Sequence, residues 1–186
     1  MTSAVATVAA LSGTYVLDPA HTRVGFVARH AMVTKVRGQF NEFEGSGVVD
    51  ASDFTKSTVT VVIRAASIDT RNEQRDAHLR SNDFLAMEEY PQITFTSTGI
   101  QQTGPASVEL TGDLTIRGVT NAVTIPFEFE GAATDPYGNL RVGFEGSVVI
   151  NRKDYGVTWN VALETGGVLV SDKVTLEFEV SAIKTA

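Results

Sequence analysis

The chain has 186 residues, 42% hydrophobic and 20% charged, a balance that suits one globular domain. It contains no cysteine, which excludes a disulfide framework, a thiolate nucleophile and a cysteine metal site. A formal net charge of −7, with no Lys/Arg cluster evident along the sequence, argues against nucleic acid and against an anionic membrane surface as partners.

In chain order, residues 1–12 lack the basic n-region and cleavage pattern of a secretory signal. They are expected to form a flexible tail on a cytoplasmic protein whose single domain spans 13–186. No apolar run approaches the ~18–20 residues of a membrane-spanning helix. From there the dominant signal is alternation with period two. It predicts strands over 14–18, 22–30, 36–49, 58–66, 92–98, 108–117, 123–130, 140–150, 155–163 and 174–180. Each has one apolar face, the pattern of antiparallel sheet wetted on one side. Pro126 interrupts a strong strand, and with no N–H to give it is expected at an edge or bulge. About eight or nine long one-faced strands make a sandwich or, more economically, a closed barrel that leaves no exposed edge.

Between two of these strands, RDAHLRSNDFLAMEEYP (75–91) does not alternate. Thr70 and Glu73 stand at capping-box spacing, which predicts a helix over 71–80. A second short turn carries Phe84, Leu85 and Met87 before Pro91 forbids continuation. The insertion as a whole is expected over 71–87, with Phe84 and Leu85 covering one end of the barrel. His78 is expected to hydrogen-bond helix to barrel and not to act in catalysis, since its inviting neighbours are adjacent only in sequence. The three histidines, His21, His30 and His78, show no metal-ligand spacing. NRKDYG (151–156) reads as a charged turn bent at Gly156.

Parity sends inward Phe26, Phe40, Val59, Val61, Ile63, Phe95, Leu114, Ile116, Ile125, Phe127, Val142, Phe144, Val148, Ile150, Trp159, Leu176 and Phe178. His30 shares the parity of Val24, Phe26 and Ala28 and so is also expected inside. An eight-stranded barrel is just wide enough to be filled by side chains or to hold one small ligand. The small inward residues Ala28, Ala65, Ser97, Gly112 and Gly146 lean toward a cavity.

Five stretches carry a resemblance: YVLDPAHTRVGFVARHAMVTKVRGQFNEFEG, SIDTRNEQRDAHLRSNDFL, YPQITFTSTGI, GDLTIRGVTNAVTIPFEF and GFEGSVVINRKDYGV. Running from Tyr15 to about Gly156, they resemble the YceI-like family of polyisoprenoid-binding proteins. Tyr15 stands where relatives often have Trp, and HTRV where they often have HS. Many members carry a secretory signal, which is not read at this N-terminus. The resemblance implies a mainly β fold, an extended antiparallel eight-stranded lipocalin-like barrel with a short helix beside it. It also implies a long amphiphile of the polyprenyl or isoprenoid-quinone class as ligand, no cofactor or metal, and a homodimer. Under it, Phe26, Phe40, Phe95, Ile125, Phe127, Phe144 and Trp159 line the ligand tunnel, with His30 toward the head group and no catalytic residue. Two other classes stay open: an enzyme acting on a lipid or stress metabolite inside the barrel, and an interaction module with a filled core.

Overall fold

The computed structural model describes residues 11–186. Strand β1 (Gly13–Leu17) and strand β2 (Arg23–His30) are two halves of one long, bent strand. Both pair with β11 (Lys173–Lys184), β1 through Leu17↔Ala182 and β2 through Phe26↔Leu176. At the corner between them the Thr22 hydroxyl donates to Ser181 O and accepts from Ser181 N, replacing ladder bonds that the bent backbone gives up.

The single strand expected over 36–49 is instead two, β3 (Thr34–Phe40) and β4 (Phe43–Val49), broken by a bend at Asn41. The break lets β3 follow β2 while β4 crosses to β1 and to β5 (Thr58–Arg64). From β5 the wall continues through β7 (Gln92–Gly104), β8 (Ser107–Ile116), β9 (Val119–Thr134) and β10 (Leu140–Asn151) to β11. With each broken pair counted as one strand, the sheet is a closed antiparallel barrel of eight. A two-residue β6 (Ile68–Asp69) leans on β3. Strands β7 and β9 run well beyond their expected bounds, because hairpin pairing carries polar residues that alternation alone does not mark.

One expected strand is absent. Residues 152–155 form a 3₁₀ turn and 156–161 an irregular crossing, although Tyr155 and Val157 keep their inward sense and are buried. The physical reason is Arg152, whose guanidinium takes the carbonyls of Val157 and Trp159 that a ladder would otherwise use.

Helix α1 (Glu73–Arg80) begins later than expected. Its N-cap is Asn72, whose side chain accepts from Arg75 N, and the Thr70–Glu73 capping box does not form. Thr70 is buried instead and gives both its N–H and its hydroxyl to the buried Asp76 carboxylate. The Arg75 guanidinium closes this network on the Thr70 hydroxyl and carbonyl. His78 bonds Asp83 within the insertion, at 2.8 Å, and reaches no barrel strand by hydrogen bond. The expected tail lies outside the described residues except for Leu11 and Ser12. These are docked, Leu11 O accepting from the Tyr15 hydroxyl and Ser12 Oγ from Ala51 N.

At the opposite end a cation ties the β9–β10 hairpin to the first corner. Arg141 donates to Asp18 at 2.6 Å and to Asp135 at 2.8 Å, and His21 Nδ1 lies 2.7 Å from Asp18. The guanidinium, then His21, holds the Asp18 carboxyl at about 2 against its ordinary 3.8. Asp135 is lowered too, by Arg141 first. Both carboxyls bind protons less tightly folded than unfolded. Their contribution to stability is therefore full above the ordinary range near pH ~4 and is lost as pH falls toward ~2. Urea midpoints should fall across that window, and Arg141→Met should flatten the dependence; an unchanged slope would remove the cluster from the acid response.

Candidate functional site

Two groups of buried residues form the packed parts of the barrel. One gathers Ile63, Phe84, Ile93, Leu114, Tyr155 and Val157 near α1; the other is Tyr15, Val142 and Ala182. Between them the interior is not filled. It holds a cavity of about 580 Å³, against the ~30 Å³ share of one water. Inward apolar side chains along the middle, such as Val61, Leu110, Phe144, Ile150, Leu176 and Phe178, line it and are only partly buried. Side chains facing the interior of a close-packed barrel would have no such area left. The filled-core alternative does not describe this protein.

The residues nominated by parity divide cleanly. Phe26, Phe40, Phe95, Ile125, Phe127 and Phe144 are on the cavity wall. His30 is not. It keeps the face of Phe26 and Ala28, but β2 runs past the barrel rim, so the ring is exposed and its backbone meets Val170 in a loop. Trp159 is also off the wall, because the strand that would have carried it is absent. Its ring packs edge-on to His78 at 4.7 Å and against Phe84 at 5.2 Å, joining the 157–171 loop to the helical insertion. Phe84 and Leu85, with Leu79, close the cavity at that end.

The inward glycines do not create the space. A Cβ on Gly112 would lie 2.4 Å from the Phe95 ring, and one on Gly146 2.6 Å from the Phe127 ring. Each ring folds over the bare backbone of a neighbouring strand and lies along the wall. Ser97 is likewise occupied, its Oγ accepting from Val59 N at a bulge.

Sequence reasoning missed Arg152 and Tyr155. Arg152 is 5% exposed and lines the cavity. It donates to the carbonyls of Ser171 at 2.8 Å, Val157 at 2.7 Å, Trp159 at 2.9 Å and Val170 at 3.3 Å. Burial lowers its pKa, while Asp172, 3.8 Å away, raises it. The signal was available: the inward parity of Val142, Phe144, Val148 and Ile150, carried two residues further, lands on Arg152. Tyr155 is 2% exposed; its hydroxyl meets no partner in full hydrogen-bond geometry, and Asn121 is the neighbouring side chain that acts on it. Burial pushes the Tyr155 pKa up, so the phenol stays neutral.

The barrel wall also has a seam. Pairing between β9 and β10 stops at Phe127↔Gly146, leaving residues 119–126 and 147–151 unpaired with each other. Phe129 N donates to Ala106 on the β8 side. By alternation, the N–H groups of residues 128, 126 and 124 point toward β10. Residue 126 is the proline, so the donor is missing where the next rung belongs, at the edge position its chemistry predicts. An open cleft lies along the seam, bordered by Asn121–Thr124, Val148–Asn151, Asp154 and Tyr155.

Among the described residues, no Asp, Glu, His or Lys lines the main cavity, so an acid–base pair is not gathered there. Among the same residues no group of three His, Asp or Glu is placed to hold a metal, and no helix is long and apolar enough to cross a membrane.

A family model for the YceI-like domain matches residues 15–182. The chain belongs to the YceI-like family. A UPF0312 protein of Staphylococcus aureus is 39% identical over 169 residues, 90% of this chain and 95% of that protein. The crystal structure of Campylobacter jejuni YceI superposes with a TM-score of 0.71 at 31% identity, over 91% of this chain and 97% of that one. A polyisoprenoid binding domain from Saccharophagus degradans has a TM-score of 0.69 at 16% identity, over 92% and 98%, and shares the fold. In this YceI-like protein the barrel thus holds an apolar cavity lined at its α1 end by the buried Arg152 and Tyr155.

Proposed function

We propose that the barrel binds, and so sequesters or carries, a long isoprenoid-type amphiphile of the polyprenyl or isoprenoid-quinone class. The observation that carries this reading is the elongated apolar cavity whose wall side chains are only partly buried. Its volume of about 580 Å³ falls within the ~300–1,000 Å³ of small-molecule sites. Burying each CH₂ contributes ~0.8 kcal/mol, so a chain of ten or so units gains several kcal/mol after the costs of association, without strong polar contacts. The description of the Saccharophagus degradans structure as a polyisoprenoid binding domain supports the ligand class. The head group would lie toward the buried Arg152 and Tyr155, which line the cavity, in place of the exposed His30.

Solvent extraction of the denatured protein, followed by mass spectrometry, tests it. A stoichiometric prenyl lipid is the expected result. An empty barrel with no affinity for a series of prenyl alcohols and quinones would overturn the proposal.

A further inference from the structure

The hairpin of β2 and β3 differs in charge from the rest of this acidic chain. From Arg23 to Phe40 it carries Arg23, Arg29, Lys35 and Arg37 and no Asp or Glu. Arg23 pairs with Glu177 at 3.2 Å. Arg29, Lys35 and Arg37 are exposed, and among the described residues no carboxylate pairs with them. Register sets Arg29 directly opposite Lys35, with Arg37 opposite Val27. Like charges facing each other across a ladder are unfavourable unless something negative lies over them. The cluster escapes a reading of the linear sequence because only strand pairing assembles it.

The tip of the same hairpin is apolar. Val33 N donates to His30 O at 3.1 Å, closing a turn through Ala31 at φ 51° and Met32 at φ 66° within the three-residue loop between the paired His30 and Thr34. This is the type I′ geometry that Asn-Gly adopts freely and that Ala and Met adopt only against steric cost. It presents Met32 55% exposed and Val33 74% exposed. Ala31 N bonds Leu169 O, and Leu169 N bonds Val161 O, which brings the 45% exposed Val161 to the same end. The acid in that loop is Glu164, also exposed. Scattered exposed apolar residues need no explanation. An apolar point with cations set two to four residues behind it is the arrangement that matches acyl chains ahead of anionic head groups. Ala28 and Val170, at the base of this tip, line the cavity.

We infer that the β2–β3 hairpin docks the protein on an anionic lipid bilayer, with Met32 and Val33 inserted and Arg29, Lys35 and Arg37 on the head groups. This extends the lipid-binding reading by placing one end of the barrel against a membrane surface.

The test is co-sedimentation of the full chain with vesicles of phosphatidylcholine alone and of phosphatidylcholine with phosphatidylglycerol. Wild type should pellet with the anionic vesicles only. Lys35→Glu/Arg37→Glu should lose about tenfold or more in partitioning, since each cation near such a surface contributes about fivefold. Met32→Ser/Val33→Ser should lose several-fold at unchanged charge. All four substituted residues are exposed, and circular dichroism checks that the fold is kept. Equal binding to both vesicle types, or either variant binding like wild type, overturns the inference. So does a tip variant that changes only oligomer size, which would make the tip a contact between copies. The vesicles hold no prenyl lipid, so a protein that pellets with them yet has an empty barrel and no affinity for prenyl alcohols or quinones would sink the proposed function and leave this inference standing.

Discussion

A Phe144→Arg variant is expected to fold and to retain no prenyl lipid. Phe144 lies on β10, lines the cavity and is only partly buried, with the Phe129 ring 5.3 Å away as its aromatic neighbour. Phe144 packs beside both core clusters but its inner side faces the cavity, so an arginine there gives up part of that packing and reaches into open space. In the empty barrel its guanidinium keeps water. A hydrocarbon chain would have to strip that water away, and desolvating a charge without a partner costs several kcal/mol, enough for a loss of about 100-fold or more. Lipid retained by the purified, folded variant is the measurement, and full retention removes Phe144 from the binding wall. Phe95 would be the wrong choice for this experiment. It is 8% exposed and its ring fills the place of a side chain over Gly112, so Phe95→Arg tests the fold before it tests binding.

The second large effect is expected at Arg152. Replacement by leucine should lower stability by about 3–5 kcal/mol, which for a chain of this size lowers Tm by roughly 10 °C. The guanidinium ties four backbone carbonyls, from Val157 to Ser171, to the end of β10. Without it, those acceptors stay turned inward with no donor, and the loop that brings Trp159 to His78 and Phe84 loses its anchor. Arg152→Lys should recover little, since one ammonium cannot span acceptors that a planar fork reaches on several sides. Thermal melts of the two variants check this; a shift of only a few degrees in Arg152→Leu would show that the loop is held by its own packing.

Alternation carried most of the architecture, because a strand in a one-sided sheet writes its inner face into every second residue. That is why the sequence alone places Phe26, Phe40, Phe95, Ile125, Phe127 and Phe144 on the inner wall and Pro126 at an unpaired edge. Parity does not say where a strand leaves the barrel. His30 obeys the inward rule and still stands in solvent, because β2 outruns the wall. Nor does parity say whether a partner strand is present. Trp159 alternates correctly on a segment whose carbonyls are claimed by Arg152, and no strand forms.

The sequence by itself thus determined the fold class, the family and the chemical character of the interior. All three follow from local periodicity and from motifs that hold their residues in order along the chain. Tertiary structure alone decided whether that interior is open, which polar groups enter it, and where the wall splits. It also decided that Arg29, Lys35 and Arg37 form one positive face. The reason is common to all four. Each depends on which residues of different strands come to lie opposite one another, and that register is set by the closure of the whole barrel.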